Sequence, residues 1–390
     1  MDRRDTLRLS ADIPFLADPA GQKLCAMFED AGHRAYFVGG CVRNAVMGYP
    51  PSDVDIATTA APQAVMDLAK VANLRAIPTG FDHGTVTVVV DGTPFEVTTF
   101  RRDVATDGRR AVVAFSQDMA QDAARRDFTL NALYADRRGV VYDPMNGLQD
   151  AREGRVRFID DPGQRIREDY LRILRFFRFS AFYERHGHGF DPDALAAVAE
   201  NLDGLETLSA ERVGSEMMRL LSAPDPVRHI AVMERIGVMS RILPGSTTEL
   251  IGPLVHCEAQ ISAPHDPVTR LAALGGTDVV QRLRLSRKHQ RQLDLTLRYA
   301  GSLMGARAIG QMAGVPAGSG VILLRAAMTK QPPKGFILQD IARGAAMKFP
   351  VSARDLPQLS GPELGNRLDA IKKEWLASEL TKTKADLLGA

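Results

Sequence analysis

A chain of 390 residues is two to three times the size of an ordinary domain, so two or three domains are expected. With 45% hydrophobic and 25% charged residues it is neither disordered, collagen-like nor of low complexity. Lys and Arg number 49 against 47 Asp and Glu, a net charge of +2, so bulk charge does not announce nucleic acid and any basic surface must come from local clustering. Cys25, Cys41 and Cys257 lie far apart and form neither a disulfide framework nor a zinc pattern, which points to a reducing, cytoplasmic setting. The start MDRRDTLRLSADIPFL has no apolar core of signal-peptide length and no stretch approaches 18 apolar residues, so export and membrane insertion are not expected.

Up to about residue 150 the pattern mixes helix and strand. A helix over 21–32 leads into the apolar strand AYFVG, a glycine turn and a short helix, RNAVMGY. The strand DVDIATTA follows Pro50 and Pro51, and another helix starts near Pro62. TVTVVVDGTPFEVTTF reads as two β-branched runs around Asp91-Gly92, a hairpin signal. Beyond Pro162 the chain reads as helices over 167–184, 191–201, 210–222 and 226–236, with Gly275-Gly276, PAGSG and KQPPKG breaking the helices that follow. Boundaries fall near 155 and 240. The fold class is α+β: a small mixed sheet first, helices after it.

The segment VGGCVRNAVMGYPPSDVDIA, residues 38–57, carries the chemistry. Gly39 and Gly40, between strand and helix, let backbone N–H groups approach phosphate, and Arg43 lies in the first helical turn near the same anion. Asp53 and Asp55 are two apart in an extended run, so both carboxylates face one side and can grip a hard cation. Two-metal phosphoryl chemistry needs such a pair: one Mg²⁺ activates an attacking hydroxyl and another neutralises a triphosphate and its leaving pyrophosphate.

The ordered runs GGCVRN, DVDIATTA, RRDFTLNALY, DPMNGLQD and REDYLRILRFFRF resemble the class II tRNA nucleotidyltransferase and bacterial poly(A) polymerase family, within the DNA polymerase β-like nucleotidyltransferases. The resemblance covers about residues 20–220. It implies a nucleotidyltransferase head over 20–155, a helical neck over 156–240 that recognises the base, and a helical body and tail over 241–390 that hold tRNA. It implies CTP, ATP and tRNA as partners and Mg²⁺ as cofactor, with no membrane. It also places Arg126 at the triphosphate or ribose, a role that suits a guanidinium. Asp127 and Asn131, four apart, bond either the sugar or only the backbone. Glu96 stands either as a third acid that activates the primer hydroxyl or as an exposed strand residue paired with Arg101 or Arg102.

In REDYLRILRFFRFSAF, Asp169, Arg172, Arg175 and Arg178 recur every three residues and would line one helical face. By resemblance Asp169 and Arg172 read the base, while Arg175 and Arg178 hold the nucleotide. Asp accepts from the exocyclic amine that cytosine and adenine share, and Arg donates to their ring acceptors; uracil and guanine present a carbonyl where the carboxylate wants a donor. Further on, RLRLSRKHQRQ, with Arg287 and Lys288 at its centre, is either a phosphate-contacting patch or a solvated face. Leu364, Leu368, Ile371 and Trp375, at helical spacing behind Pro362, read as the core of a tail domain.

The expected activity is template-independent addition of CMP, CMP and AMP to the 3′ end of tRNA. The alternatives are a poly(A) polymerase and a catalytically inactive RNA-binding protein, the latter disfavoured because pure binding has no need of an Asp pair.

Overall fold

The structure, a computed structural model, describes residues 7–107, 110–185, 189–333 and 336–389. The chain forms two compact units, residues 1–207 and 208–390. Among the described residues the first holds nine strands: β1 (Ala35–Val38), β2 (Asp55–Thr58), β3 (Arg75–Gly80), β4 (Thr85–Val90), β5 (Thr93–Thr99), β6 (Arg101–Asp107), β7 (Arg110–Phe115), β8 (Tyr134–Ala135) and β9 (Val141–Tyr142). Seven of them form one sheet in the order β3-β4-β5-β2-β1-β8-β9, and β6 pairs with β7 separately. The β2–β5 pair is parallel and its neighbours are antiparallel, so the sheet is mixed.

The hairpin at Asp91-Gly92 forms as its sequence requires. Asp91 and Gly92 take φ of 49° and 86°, the left-handed pair of a type I′ turn, and Val90 registers with Thr93. The strand β3 escaped the sequence reading. It is an edge strand containing Pro78, and its pairing with β4 shifts between Ile77 and Gly80, so neither alternation nor β propensity marks it.

The described helices that accompany these strands are α1 (Pro14–Ala17), α2 (Pro19–Asp30), α3 (Gly40–Met47), α4 (Pro62–Val71), α5 (Met119–Ala124), α6 (Gly147–Glu153), α7 (Pro162–Glu168), α8 (Leu171–Tyr183) and α9 (Pro192–Glu200). The expected helix over 167–184 is in fact two. Asp169 takes an extended conformation (φ −156°, ψ 103°), and its carboxylate accepts from the Leu171 amide at 3.1 Å, starting α8 afresh. Such local capping competes with helix continuation. Asp169 therefore stands in the break, while Arg172, Arg175 and Arg178 lie on α8 itself. The buried face of α8 joins an aromatic cluster in which Phe128 stands 4.9 Å from Phe158 and 5.2 Å from Phe179, centroid to centroid. Each such pair contributes about 0.5–1.5 kcal/mol beyond its burial.

The DPMNGLQD run closes the sheet region through backbone contact. Asp143 caps α6 by accepting from the Gly147 and Leu148 amides at 2.7 and 2.8 Å, and Asp150 accepts from the Thr129 hydroxyl at 2.6 Å. A Cβ at Gly147 would lie 2.0 Å from the Thr129 carbonyl oxygen. Gly147→Ala is therefore expected to cost about 1–3 kcal/mol or more as overpacking, read as a lower denaturation midpoint; an unchanged midpoint would mean that this contact is slack.

The second unit is helical: α10 (Ala210–Leu221), α11 (Val227–Arg235), α12 (Val238–Ile242), α13 (Ile251–Gln260), α14 (Pro267–Leu274), α15 (Val279–Arg282), α16 (Arg287–Ala300), α17 (Ala306–Thr329), α18 (Ile337–Ala346), α19 (Gly361–Ala377) and α20 (Lys384–Leu388). PAGSG does not end a helix as expected. It runs within α17, which kinks two residues earlier at Gly314 (φ 75°, ψ 177°), so that Pro316 falls in the first turn of the resumed helix, where its missing N–H costs nothing. KQPPKG does interrupt the chain between α17 and α18, although its residues 334 and 335 lie outside the described residues. By length and composition α17 is long and apolar enough to cross a membrane, with mean hydropathy 1.3 over 18 residues, although Gln311 and Ser319 interrupt its apolar run. Half of that window is buried inside the protein. Leu323 and Leu324 from α17 pack with Leu254 of α13, Val268 of α14 and Leu293 of α16. Arg270 and Glu258, both almost fully buried, pair at 2.6 Å, and Arg270 also donates to the Leu221 carbonyl at 2.7 Å. The expected tail core exists: Ile371 and Trp375 are buried with Val351 and Leu387, with Leu364 and Leu368 packed against them.

Candidate active site

Four strands bring the candidate residues to one place. The C-terminal end of β1 pairs with the start of β2, Val38 opposite Asp55, and Val38 also pairs with Tyr134 of β8. On the other side of β2, Asp55 is in register with Glu96 of the parallel β5, about 4.8 Å away across the sheet. Glu96 is thus a neighbour of Asp55, whereas Arg101 and Arg102 register with Phe115 and Ala114 on another sheet. Asp53 lies just ahead of β2, in the run into it.

These acids share a field. Crowding by the surrounding protein lifts the Asp55 carboxyl most, the Glu96 carboxylate next, and Asp53 adds to the rise; Arg126 opposes it, and the result is a pKa of about 6. The carboxylates repel one another without a counter-charge sufficient to settle them. Among the described residues no three His, Cys, Asp or Glu side chains form a ready cage for a metal. Hard oxygen donors whose mutual repulsion a cation would relieve do suit a divalent ion that takes one or two carboxylates and completes its shell with water and substrate phosphates. Asp53 and Asp55 fit that description.

The glycine turn sits beside them. Gly39 takes φ 72° and ψ −120°, open only to glycine, and no side chain caps the N-terminus of α3. A Cβ at Gly39 would meet the Arg126 guanidinium at 3.6 Å, and one at Gly40 would meet the Ser52 hydroxyl oxygen at 3.0 Å. The turn therefore brings the backbone close to Arg126 on one side and to the segment before Asp53 on the other. Arg126 is aimed by its partners: it pairs with Asp122 at 3.1 Å and donates to the Tyr134 hydroxyl at 3.2 Å, while that hydroxyl donates to Asp122 at 2.7 Å. Burial favours protonation of Asp122, but Arg126 and Arg125 outweigh it and hold the carboxyl below its usual range.

Arg43 lies beside this turn, its Nη2 3.8 Å from where a Cβ at Gly40 would stand, but its hydrogen bonds go elsewhere. It is buried, donates to Asn131 and to the Tyr183 hydroxyl (2.6 Å), and lies 3.9 Å from the Tyr183 ring centroid. Asn131 donates to Asp127 at 3.0 Å, and Arg175 clasps the other oxygen of Asp127 through two nitrogens at 2.8 and 2.5 Å. Asp127 and Asn131 are thus part of a buried network that ties α3 to α8. Burial would raise the Asp127 pKa, but Arg175 and Asn131 drive it well below the carboxylate range.

Arg172 docks the start of α8 on its surroundings, donating to the Arg165 carbonyl at 2.7 Å, Glu168 at 2.6 Å and the Arg125 carbonyl at 3.3 Å. Arg178 lies against the Phe179 ring at 4.5 Å. Arg165, Glu168, Asp122 and Tyr183 were not singled out from sequence. The Arg126–Asp122 and Arg172–Glu168 spacings of four and the Arg125–Asp122 and Arg165–Glu168 spacings of three carry a local signal; the Arg43–Tyr183 encounter is long-range. In the second unit Arg287 and Lys288 sit exposed at the start of α16, capped by Ser286, next to exposed Arg282, Arg284 and Arg291.

Comparison with known proteins agrees with this arrangement. A family model described as the poly A polymerase head domain matches residues 35–157, and one described as a probable RNA and SrmB-binding site of polymerase A matches 189–250. The chain is 33% identical to the mitochondrial CCA tRNA nucleotidyltransferase 1 of Mus musculus over 386 residues, covering 94% of this chain and 88% of that one. It is 43% identical to the CCA-adding enzyme of Lacticaseibacillus paracasei over 199 residues, half of each chain (50% and 48%). The crystal structure of the Bacillus stearothermophilus CCA-adding enzyme in complex with CTP superposes with a TM-score of 0.77 at 29% identity, covering 96% of both chains. The Thermotoga maritima CCA-adding enzyme complexed with tRNA shares the fold, with a TM-score of 0.67 at 18% identity over 98% and 97% of the two chains. With a sheet that gathers Asp55, Glu96 and Arg126, and with likeness along nearly its whole length, the chain belongs to the class II CCA-adding enzyme and poly(A) polymerase family.

Proposed function

We propose that this chain adds CMP, CMP and AMP to the 3′ end of tRNA by Mg²⁺-dependent nucleotidyl transfer, releasing pyrophosphate. The observation that carries the reading is the match of 94% of the chain to a relative named for that reaction, extending from the sheet through the helical unit. Asp53 and Asp55 would hold the cation, which when bound lowers the pKa of an attacking hydroxyl and neutralises charge on the triphosphate. Glu96, in register with Asp55, accepts the proton of the primer 3′-OH. The Gly39-Gly40 backbone and Arg126 grip the triphosphate, with Asp122 and Tyr134 keeping the guanidinium turned toward it.

Asp169 and Arg172 read the base. Arg178 lines the nucleotide side of α8, and Arg43 and Arg175 support that side through the Asp127 network. Residues 20–155 act as the catalytic head, 156–240 as the neck that selects the base, and 241–390 as the body and tail that hold tRNA. The three buried thiols, none of them in a disulfide, suit a reducing compartment, and we assign the chain to the cytoplasm.

The test is the product made from a tRNA lacking its terminal CCA in the presence of CTP and ATP. Growth that stops after CCA is expected; an open-ended A tail would instead favour the poly(A) polymerase reading, which the name of the matching head family also carries.

The exposed basic start of α16 is proposed to meet tRNA phosphates. Replacing Arg287 and Lys288 with Ala should weaken tRNA binding and flatten its dependence on salt by about one unit of log-log slope for each phosphate that is no longer neutralised. An unchanged slope would make this patch a solvated helix face.

A further inference from the structure

We infer that Arg165 is a positioning residue that couples the two ends of the nucleotide site. Its guanidinium holds the main chain of Arg126 and the carboxylate that steadies Arg172, so a base engaged by Arg172 tightens the grip of Arg126 on the triphosphate. The inference rests on the proposed roles of Arg126 and Arg172 and names the side chain that joins them.

Two helix ends leave backbone carbonyls for guanidiniums to take. Helix α7 stops because Asp169 turns extended and gives its amide to the Ile166 carbonyl at 3.1 Å. The Arg165 carbonyl, which a continuing helix would have bonded to that amide, accepts from Arg172 at 2.7 Å. Past the C-terminus of α5, the Arg125 carbonyl accepts from Arg172 at 3.3 Å and the Arg126 carbonyl accepts from Arg165. One carboxylate oxygen of Glu168 closes the circuit, accepting from Arg165 and, at 2.6 Å, from Arg172. All of these residues belong to the first compact unit.

The position calls for an arginine. The Arg165 side chain is buried, and its two terminal nitrogens reach a carboxylate and a carbonyl at once, which the single amine of a lysine cannot do with the same fixed fork. The Arg126 guanidinium is meanwhile held by Asp122 and the Tyr134 hydroxyl. A base that immobilises Arg172 fixes Glu168 and Arg165 with it, and the peptide that carries Arg126 is then already ordered when the triphosphate arrives. Coupling of this kind is reciprocal, so the triphosphate favours the right base by the same factor.

The experiment measures the Kd of tripolyphosphate in the presence of Mg²⁺, alone and with an excess of cytidine or uridine, for the parent protein, Arg165→Met, Arg165→Lys, Glu168→Gln and Arg126→Ala, with the denaturation midpoint alongside. In the parent, cytidine should tighten tripolyphosphate binding by about five- to tenfold, the low end of ordinary coupling between sites, and uridine should not. In Arg165→Met the cytidine effect should disappear. Arg165→Lys, which keeps the charge and loses the fork, should lose it too. A cytidine effect of parental size in either variant overturns the inference, even where tripolyphosphate itself binds more weakly, because a merely structural role weakens binding with and without cytidine alike. Should both variants fail to fold, Glu168→Gln, altered at a more exposed side chain, decides alone: loss of the cytidine effect supports the inference and its retention overturns it. If Arg126→Ala weakens tripolyphosphate binding while cytidine leaves the parent's affinity unchanged, this inference fails and the triphosphate role of Arg126 stands; if Arg126→Ala binds tripolyphosphate like the parent, both fall.

Discussion

Asp55→Ala is expected to reduce nucleotidyl transfer by more than about a hundredfold at saturating Mg²⁺, because on the proposed assignment it removes metal stabilisation worth several kcal/mol. Its tRNA affinity should stay near wild type, since the exposed basic residues of α16 lie in the other unit. Activity within about tenfold of wild type would show that the cation is held elsewhere. The same residue sets a pH dependence. Its folded-state pKa of about 6 lies above the ordinary carboxylate value, so in the metal-free protein its contribution to stability is present at acid pH and lost as pH rises through about 6. A cation reverses that balance by relieving the repulsion from Glu96 and Asp53, and protons compete with it below pH 6. Mg²⁺ should therefore raise the denaturation midpoint more at pH 7.5 than at pH 5. In Asp55→Ala that difference should shrink; a shift independent of pH in the parent protein would contradict this assignment.

The parts of the fold written in local pattern were legible. Asp91-Gly92 makes its hairpin because two successive left-handed residues leave the chain few other choices, and the spacing of Ile371 and Trp375 put both in the tail core. The sequence hid what depends on contacts across the chain. The apolar periodicity runs on through Asp169, so nothing in it reveals that the carboxylate caps Leu171 and splits the helix. Pro78 masks an edge strand, and Pro316 looks like a breaker although the kink falls at Gly314. At the site, the order of motifs named the residues that gather around Asp55, but not what each guanidinium binds. Arg43 and Arg126 both follow the same logic of phosphate recognition in sequence. In the fold one is enclosed by Asn131 and Tyr183, and the other is turned toward Gly39 by Asp122 and Tyr134. Those partners lie up to 140 residues away in the chain.

Base choice by side chains, without a template, is the claim on which the proposed function stands. Asp169 lies in the break between α7 and α8, three residues before Arg172, whose guanidinium is steadied by Glu168 and two backbone carbonyls. On the proposed assignment a carboxylate there accepts from an exocyclic amine and rejects a carbonyl, and the arginine donates to the ring acceptors of cytosine and adenine alike. Losing the carboxylate costs about 1–3 kcal/mol of discrimination, roughly ten- to more than a hundredfold. Arg172→Ala should instead weaken CTP and ATP together. The most direct measurement is kcat/KM for CTP, ATP, UTP and GTP on a tRNA ending before CCA, compared between the parent protein and Asp169→Ala. Discrimination against UTP and GTP should collapse by that factor while the metal-dependent rate with CTP falls less; wild-type preference for CTP over UTP in Asp169→Ala would reduce the α7–α8 segment to a structural strut and contradict the account.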